Sequence, residues 1–221
     1  MHVVIVAGGM GRALPDRASI AGADLVIAAD GGAEALVALG VQPHVLVGDF
    51  DSVSAATRSR VEEAGAEVIA LRADKDWTDT EVALRLAVER GAERVTVFGA
   101  LGGPRLDHLL GNILLLTAPW LRGCDVRLVD ARHEIFLAGV DANIAGKPGD
   151  LVSLLSLTPL VEAVETEGLA YPLQGEPLYQ GATRGVSNEL LEDRARVRHG
   201  TGELLIVHYR STEEGPRETA C

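Results

Sequence analysis

Apolar residues follow two rhythms along this chain. Over the first 130 or so positions, short unbroken apolar runs alternate with stretches patterned for helix, the signature of a parallel sheet covered by helices. Val3-Val4-Ile5-Val6-Ala7 and Leu25-Val26-Ile27-Ala28-Ala29 are continuous, as strands buried on both faces should be. Further strands are predicted in the run from Val41 to Val47, over Glu67–Leu71, over Arg94–Phe98 and over Val126–Val129. Between them the pattern predicts a helix from Ala33 to Leu39 stopped by Gly40, and another from about Ala55 to Ala64 stopped by Gly65. Thr78-Asp79-Thr80-Glu81 has the form of a capping box opening a third helix, and Leu109, Leu110, Ile113, Leu114 and Leu116 mark a fourth that ends before Pro119.

The rhythm changes somewhere between 131 and 147. Beyond it come short strands and turns without a clear long helix: a turn at Lys147–Asp150, a strand over Leu151–Leu157, and an alternating segment over Arg194–His199. Gly200-Thr201-Gly202 then leads into Leu204–Tyr209, which reads as a β-hairpin. The expectation is an antiparallel module of about 75 residues, a sandwich or a small barrel.

Composition narrows the choice of partner. The 221 residues are 47% hydrophobic, 24% charged and carry a formal net charge of −12, which argues against nucleic acid, since binding its phosphates needs a basic surface. A small polyanion stays possible if a divalent cation and a few local positive charges mediate its binding. The two cysteines, Cys124 and Cys221, have no metal-ligand spacing and read as free thiols. With no apolar run approaching a membrane span, the expected location is the cytoplasm.

The candidate chemistry sits where parallel strands end, the edge at which ligands bind in such sheets. In Gly48-Asp49-Phe50-Asp51-Ser52 an extended backbone projects Asp49 and Asp51 to one side and Phe50 to the other. Paired carboxylates repel unless a cation neutralises them, and Mg2+ suits such a pair when phosphates complete its oxygen shell. Asp30 ends the second strand, Asp74-Lys75-Asp76-Trp77-Thr78-Asp79 precedes a helix, and Gly99–Gly103 with Arg105 offers close backbone approach and a bidentate cation. One such acid is explained by helix capping; several converging on one sheet edge are not. His108 reads as a helix cap before a general base, Ser187-Asn188 as a turn pair before a ligand contact, and Tyr171 as either a stacking platform or core. Gly8-Gly9-Met10-Gly11-Arg12 is similar to the Gly-x-Gly-x-Arg loop of nucleotidyltransferases.

Five motifs occur in order: Ala29-Asp30-Gly31-Gly32-Ala33, Gly48-Asp49-Phe50-Asp51-Ser52, Lys75-Asp76-Trp77-Thr78-Asp79, Leu101-Gly102-Gly103-Pro104-Arg105-Leu106-Asp107-His108 and Val186-Ser187-Asn188-Glu189. Together they resemble the thiamine pyrophosphokinase family over nearly the whole chain. The resemblance implies a three-layer α/β domain over 1–135 that binds ATP and Mg2+. It implies a β-sandwich over 136–221 that binds thiamine and forms a homodimer, with thiamine at the dimer interface. The implied reaction moves the β,γ-diphosphate of ATP to the thiamine hydroxyl and releases AMP. It assigns Asp49, Asp51 and Asp79 to catalysis and to Mg2+, and Asp30, Gly31, Lys75, Asp76, Thr78, Gly102, Gly103, Arg105 and Asp107 to ATP. Tyr171, Ser187 and Asn188 are assigned to thiamine. Two departures stand out: Pro104 is inserted in what the family writes Gly-Gly-Arg-Leu-Asp-His, and Trp77 occupies a position to which the resemblance gives no role. A nucleotidyltransferase using the Gly8–Arg12 loop, and a non-catalytic binder of thiamine or nucleotide, are the alternatives.

Overall fold

The computed structural model describes residues 1–9, 15–20, 22–72, 74 and 76–211. It divides into two compact units, Met1–Ala131 and Arg132–Cys221. Among the described residues no helix is long and apolar enough to cross a membrane.

The first unit holds six parallel strands: β1 (His2–Val6), β2 (Leu25–Ala29), β3 (Val45–Gly48), β4 (Glu67–Ala70), β5 (Arg94–Phe98) and β6 (Asp125–Val129). Their order is β6-β5-β1-β2-β3-β4, so the chain builds outward from β1, crosses back to pair β5 with β1, and finishes at β6. The helices are α1 (Arg17–Ile20), α2 (Gly32–Ala38), α3 (Ala55–Glu63), α4 (Asp79–Glu89) and α5 (Leu106–Leu115). The unbroken apolar runs are explained by burial on both faces. Val4, Val6, Val26, Ala28 and Leu46 pack with Ala33, Leu36 and Val61 of α2 and α3. Val3, Ile5, Ile27, Val45 and Val47 have the opposite parity, point to the other face, and are equally buried. On that side α4 packs on β1, β2 and β3 and buries Ala83, Leu84 and Ala87. The apolar helix α5 departs from expectation. It buries none of its own residues fully, and Leu106, Leu110 and Leu114 stand exposed at i, i+4, i+8 spacing.

The second unit is two antiparallel four-stranded sheets. One has the order β7 (His133–Leu137), β14 (Leu204–Tyr209), β9 (Leu151–Ser156), β12 (Asn188–Glu189). The other runs β8 (Asp141–Ala145), β13 (Arg194–Arg198), β10 (Leu160–Glu167), β11 (Gln174–Tyr179). Their inner faces share a core that includes Phe136, Ile144, Leu154, Val164, Leu178, Val197 and Ile206. The expected hairpin between Arg194–His199 and Leu204–Tyr209 does not form, because β13 and β14 belong to different sheets. The Gly200–Gly202 corner folds onto the start of β10, where Gly200 N–H donates to Glu162 O at 2.8 Å and Glu162 N–H to Thr201 O at 3.0 Å. The alternation that suggested a hairpin therefore places Val197 and Ile206 in one shared core from two different sheets.

One polar pair sits inside this unit. His208 is fully buried, and its Nε2 lies 2.9 Å from Asp150 Oδ2. Lys147 N–H and Ser211 N–H donate to the same carboxylate, at 3.0 and 2.9 Å. Burial pushes Asp150 up, but the bonds from His208 and the two amides outweigh it and hold its carboxyl below the ordinary range.

Candidate active site

The loops that follow β1, β2, β3 and β5 meet at the carboxyl edge of the first sheet, and glycine lets them meet. Gly8 approaches Gly31, and Gly31 lies against Ser52. A Cβ on Gly9 would collide with the carbonyl oxygens of Gly99 and Gly102, so only glycine lets these two loops touch. Asn112 of α5 donates from Nδ2 to Ala100 O at 2.9 Å, tethering the same glycine loop to its helix.

Three carboxylates gather beside this floor. Asp30, Asp49 and Asp79 each offer an oxygen, and these oxygens lie within 4.8 Å of one another. Asp30 follows β2 in the left-handed region at φ 45°, fixed by its N–H to Val47 O at 2.8 Å and by Ala33 N–H to its own carbonyl at 3.0 Å. Its Oδ1 is buried without a hydrogen-bond partner among the described residues. Burial pushes its carboxyl above the usual range; Gly31 N–H and the Ser52 hydroxyl oppose this, while Asp79 and Asp51 add to it. A lone pair aimed at no donor, flanked by two carboxylates, fits an oxygen-liganded divalent cation. Asp79 is the first residue of α4, whose N-cap Thr78 accepts from Glu81 N–H at 3.2 Å. The reciprocal half of the capping box is missing, because the Glu81 carboxylate turns to Arg85.

The expected pairing of Asp49 with Asp51 is altered. Strand β3 ends at Gly48, and Phe50 takes φ 65°, so the extended alternation that would aim both acids the same way is broken. Asp49 joins Asp30 and Asp79; Asp51 is exposed and accepts from the Ser52 hydroxyl at 2.8 Å. Phe50 packs against the first unit's core, under the Arg58 guanidinium at 4.5 Å.

The other predicted residues fall as follows. Gly31 abuts Gly8, and Gly103 lies against Gly9. Gly102 presents its carbonyl to Gly9. Asp76 and Thr78 are exposed at the entrance to α4. Lys75 lies outside the described residues, as do positions 10–12 of the Gly8–Arg12 loop. Arg105 is the N-cap residue of α5 and forms a bidentate pair with Asp107, at 2.9 and 2.5 Å. That pair draws the Asp107 carboxyl down to about 2. His108 provides no cap bond: the α5 N-cap has none from a side chain. In the second unit, Asn188 is buried, and its amide brackets the Tyr171 backbone. Tyr171 N–H donates to Asn188 Oδ1 at 2.9 Å, and Asn188 Nδ2 donates to Tyr171 O at 2.7 Å. The Tyr171 ring is 72% exposed, so it is no core residue. Ser187 is exposed at φ 59°, its N–H on Ser153 Oγ at 3.0 Å.

Sequence reasoning missed three contributors: Gly8 and Gly9 as part of the floor, Asn112 as the tether, and the contact of Arg85 with Trp77 and Trp120. Gly9 and Asn112 act through backbone carbonyls that no spacing rule marks. Only the i, i+4 spacing of Glu81 and Arg85 was visible.

Residues 17–128 match the family described as "Thiamin pyrophosphokinase, catalytic domain", and residues 140–202 match "Thiamin pyrophosphokinase, vitamin B1 binding domain". The chain is 32% identical over 212 residues to the thiamine pyrophosphokinase of Bacillus subtilis, covering 95% of this chain and 98% of that one. The crystal structure of thiamine pyrophosphokinase from Bacillus subtilis superposes with a TM-score of 0.86 at 29% identity, covering 96% of this chain and all of that one. A thiamin pyrophosphokinase family protein from Enterococcus faecalis gives a TM-score of 0.84 at 30% identity, with coverage of 96% and 100%. The two matched domains together, and the full-length likeness to the Bacillus subtilis enzyme, identify this chain as a member of the thiamine pyrophosphokinase family.

Proposed function

We propose that this enzyme transfers the terminal diphosphoryl group of ATP to the hydroxyethyl oxygen of thiamine in a Mg2+-dependent reaction that releases AMP. The observation that carries this reading is the grouping of Asp30, Asp49 and Asp79 beside glycine loops at a sheet edge. In the reaction a bond forms between the thiamine oxygen and the β-phosphorus, and the bond from that phosphorus to the oxygen of the α-phosphate breaks. The protein contributes alignment and charge neutralisation. Asp30, Asp49 and Asp79 would hold Mg2+, with Asp51 alongside; the ion supplies positive charge against the phosphate oxygens. The alcohol proton passes to a carboxylate of this group, Asp79 or Asp51.

The backbone of Gly31, Gly102 and Gly103 leaves room for polyphosphate, with Asp76 and Thr78 at the margin. Arg105 and Lys75 are the cations proposed for it, and Asp107 holds the Arg105 fork. Tyr171, Ser187 and Asn188 are proposed to hold thiamine. The buried Asn188 acts by fixing the Tyr171 backbone, and the exposed Tyr171 ring is a face for an aromatic heterocycle. A homodimer is proposed; besides the sandwich that the resemblance implies, the bare leucine row Leu106, Leu110, Leu114 of the first unit supports it as a contact surface. The cytoplasm, where thiols stay reduced, is the proposed location.

The test is to incubate the protein with ATP, Mg2+ and thiamine and separate the nucleotides. AMP formed in step with thiamine diphosphate and abolished by EDTA is the expected result. ADP with thiamine monophosphate, pyrophosphate release, or binding without turnover would each overturn it, the last two in favour of a nucleotidyltransferase and a non-catalytic binder.

A further inference from the structure

Beside the carboxylate group, α4 carries a feature that the proposed reaction does not use. The Arg85 guanidinium lies 4.6 Å from the ring centroid of Trp77 and 4.4 Å from that of Trp120. Its Nε and Nη2 both donate to Glu81 Oε1, at 3.0 and 2.8 Å. Trp77 and Trp120 are the chain's two tryptophans, one just before the cap of α4 and the other in a single 3-10 turn, Pro119–Leu121. Trp77 is 50% exposed, so burial alone does little to hold it. The α4 cap is also short of a bond, because Glu81 has left the capping box for Arg85. The Arg85 cation that takes up Glu81 also meets both rings. It grips the residue before the cap and ties it to a turn outside α4.

We propose that Trp77, Arg85 and Trp120 are positioning residues for Asp79, fixing the entrance to α4 so that the Asp79 carboxylate stays grouped with Asp30 and Asp49. This rests on the reading that those three carboxylates bind a divalent cation. Phe at position 77 preserves a ring for Arg85, whereas Leu does not. Loosening the stack leaves the ligands in place but spreads the positions of one of them, so cation affinity falls about fivefold, the scale of one partly exposed cation–π contact.

The experiment titrates Mn2+ into the full-length protein and reads free Mn2+ by electron paramagnetic resonance, with thermal unfolding run alongside. The variants are Trp77→Leu, Trp77→Phe, Arg85→Met and Asp79→Asn. The expected result is Mn2+ binding weakened about fivefold in Trp77→Leu and Arg85→Met, kept within about twofold of wild type in Trp77→Phe, and largely lost in Asp79→Asn. In turnover, the Mg2+ needed for half-maximal rate should rise in Trp77→Leu while the KM for thiamine holds. If Asp79→Asn binds Mn2+ like wild type, the cation reading itself fails. If Asp79→Asn loses Mn2+ but Trp77→Leu binds it normally, or only the melting temperature falls, the positioning role is refuted. Trp77 is half exposed, so the Leu variant tests the idea even if Arg85→Met does not fold.

Discussion

Replacing Asp30 by Asn should make the metal-free protein more stable and the metal response weaker. Three carboxylate oxygens within 4.8 Å form three repelling pairs, and Asp30 belongs to two of them. Two unit charges at that separation repel by about 1 kcal/mol at the permittivity of water and about 3 kcal/mol at an effective value of 20. Discounting for partial exposure and for the partners that Asp49 and Asp79 also hold leaves a gain of about 2 kcal/mol, or about 4–8 °C in melting temperature for a chain of this size. Asn keeps the shape and tolerates the left-handed backbone at this position, so no strain offsets the gain. Mg2+ stabilises only what it binds, so its upward shift of the wild-type melting temperature should shrink in Asp30→Asn. The pH dependence has a defined sign. Because burial raises the folded-state pKa of Asp30, there is a pH window between the unfolded-state and folded-state values in which the native protein holds a proton that the unfolded chain has shed. Wild-type stability therefore rises as pH falls through that raised value, and the gap to Asp30→Asn closes. Thermal unfolding in EDTA and in Mg2+, over a series of falling pH from 7.5, measures all three effects. A variant that melts lower than wild type in EDTA, or an equal Mg2+ shift in both proteins, would refute the reasoning.

Asp150→Ala strands the His208 ring and two backbone N–H groups and should cost about 3 kcal/mol, read by denaturant unfolding. Since the folded-state pKa of Asp150 is depressed, its contribution is present above the ordinary carboxylate range and lost as pH falls through the folded value; a flat stability profile in acid would contradict this. Gly9→Ala forces apart the loops after β1 and β5 and should abolish turnover by at least about 100-fold, with a lowered melting temperature; near-normal activity would show that the floor adapts. Asn188→Ala frees the Tyr171 backbone and should raise the thiamine KM while leaving the KM for ATP unchanged; equal rises in both would refute a role confined to thiamine. Leu110→Asp should shift the protein to monomer in size-exclusion chromatography with light scattering; an unaltered dimer would place the interface elsewhere.

What could be read from the sequence depended on whether the deciding contact was local. The strands of the first sheet were legible because burial on both faces leaves only apolar residues in Val3–Val6 and Leu25–Ala29. The Thr78 cap and the i, i+4 spacing of Glu81 and Arg85 were visible for the same local reason, whereas the contact of Arg85 with Trp120 joins segments that no local rule brings together. Asp49 and Asp51 were read as partners because strand geometry was extended past the strand's end; the turn at Phe50 separated them and drew in Asp30 from the neighbouring strand. The hairpin failed because period two places Val197 and Ile206 on an inner face without saying in which sheet. The exposed α5 leucines carry the same pattern as core leucines, and only neighbours separate the two cases.

The pairing of β1 with β5 also bears on how the protein is made. His2 finds its partner Arg94 about ninety residues later, which at ordinary translation rates is about 5–20 seconds of synthesis. Until then one edge of the first strand has no neighbour, and Val3 to Val6 offer a bare apolar ribbon to any passing chain. A ribosome stalled between β4 and β5 would hold out a half-built sheet, so codon speed across that stretch becomes a determinant of yield that the finished molecule no longer displays.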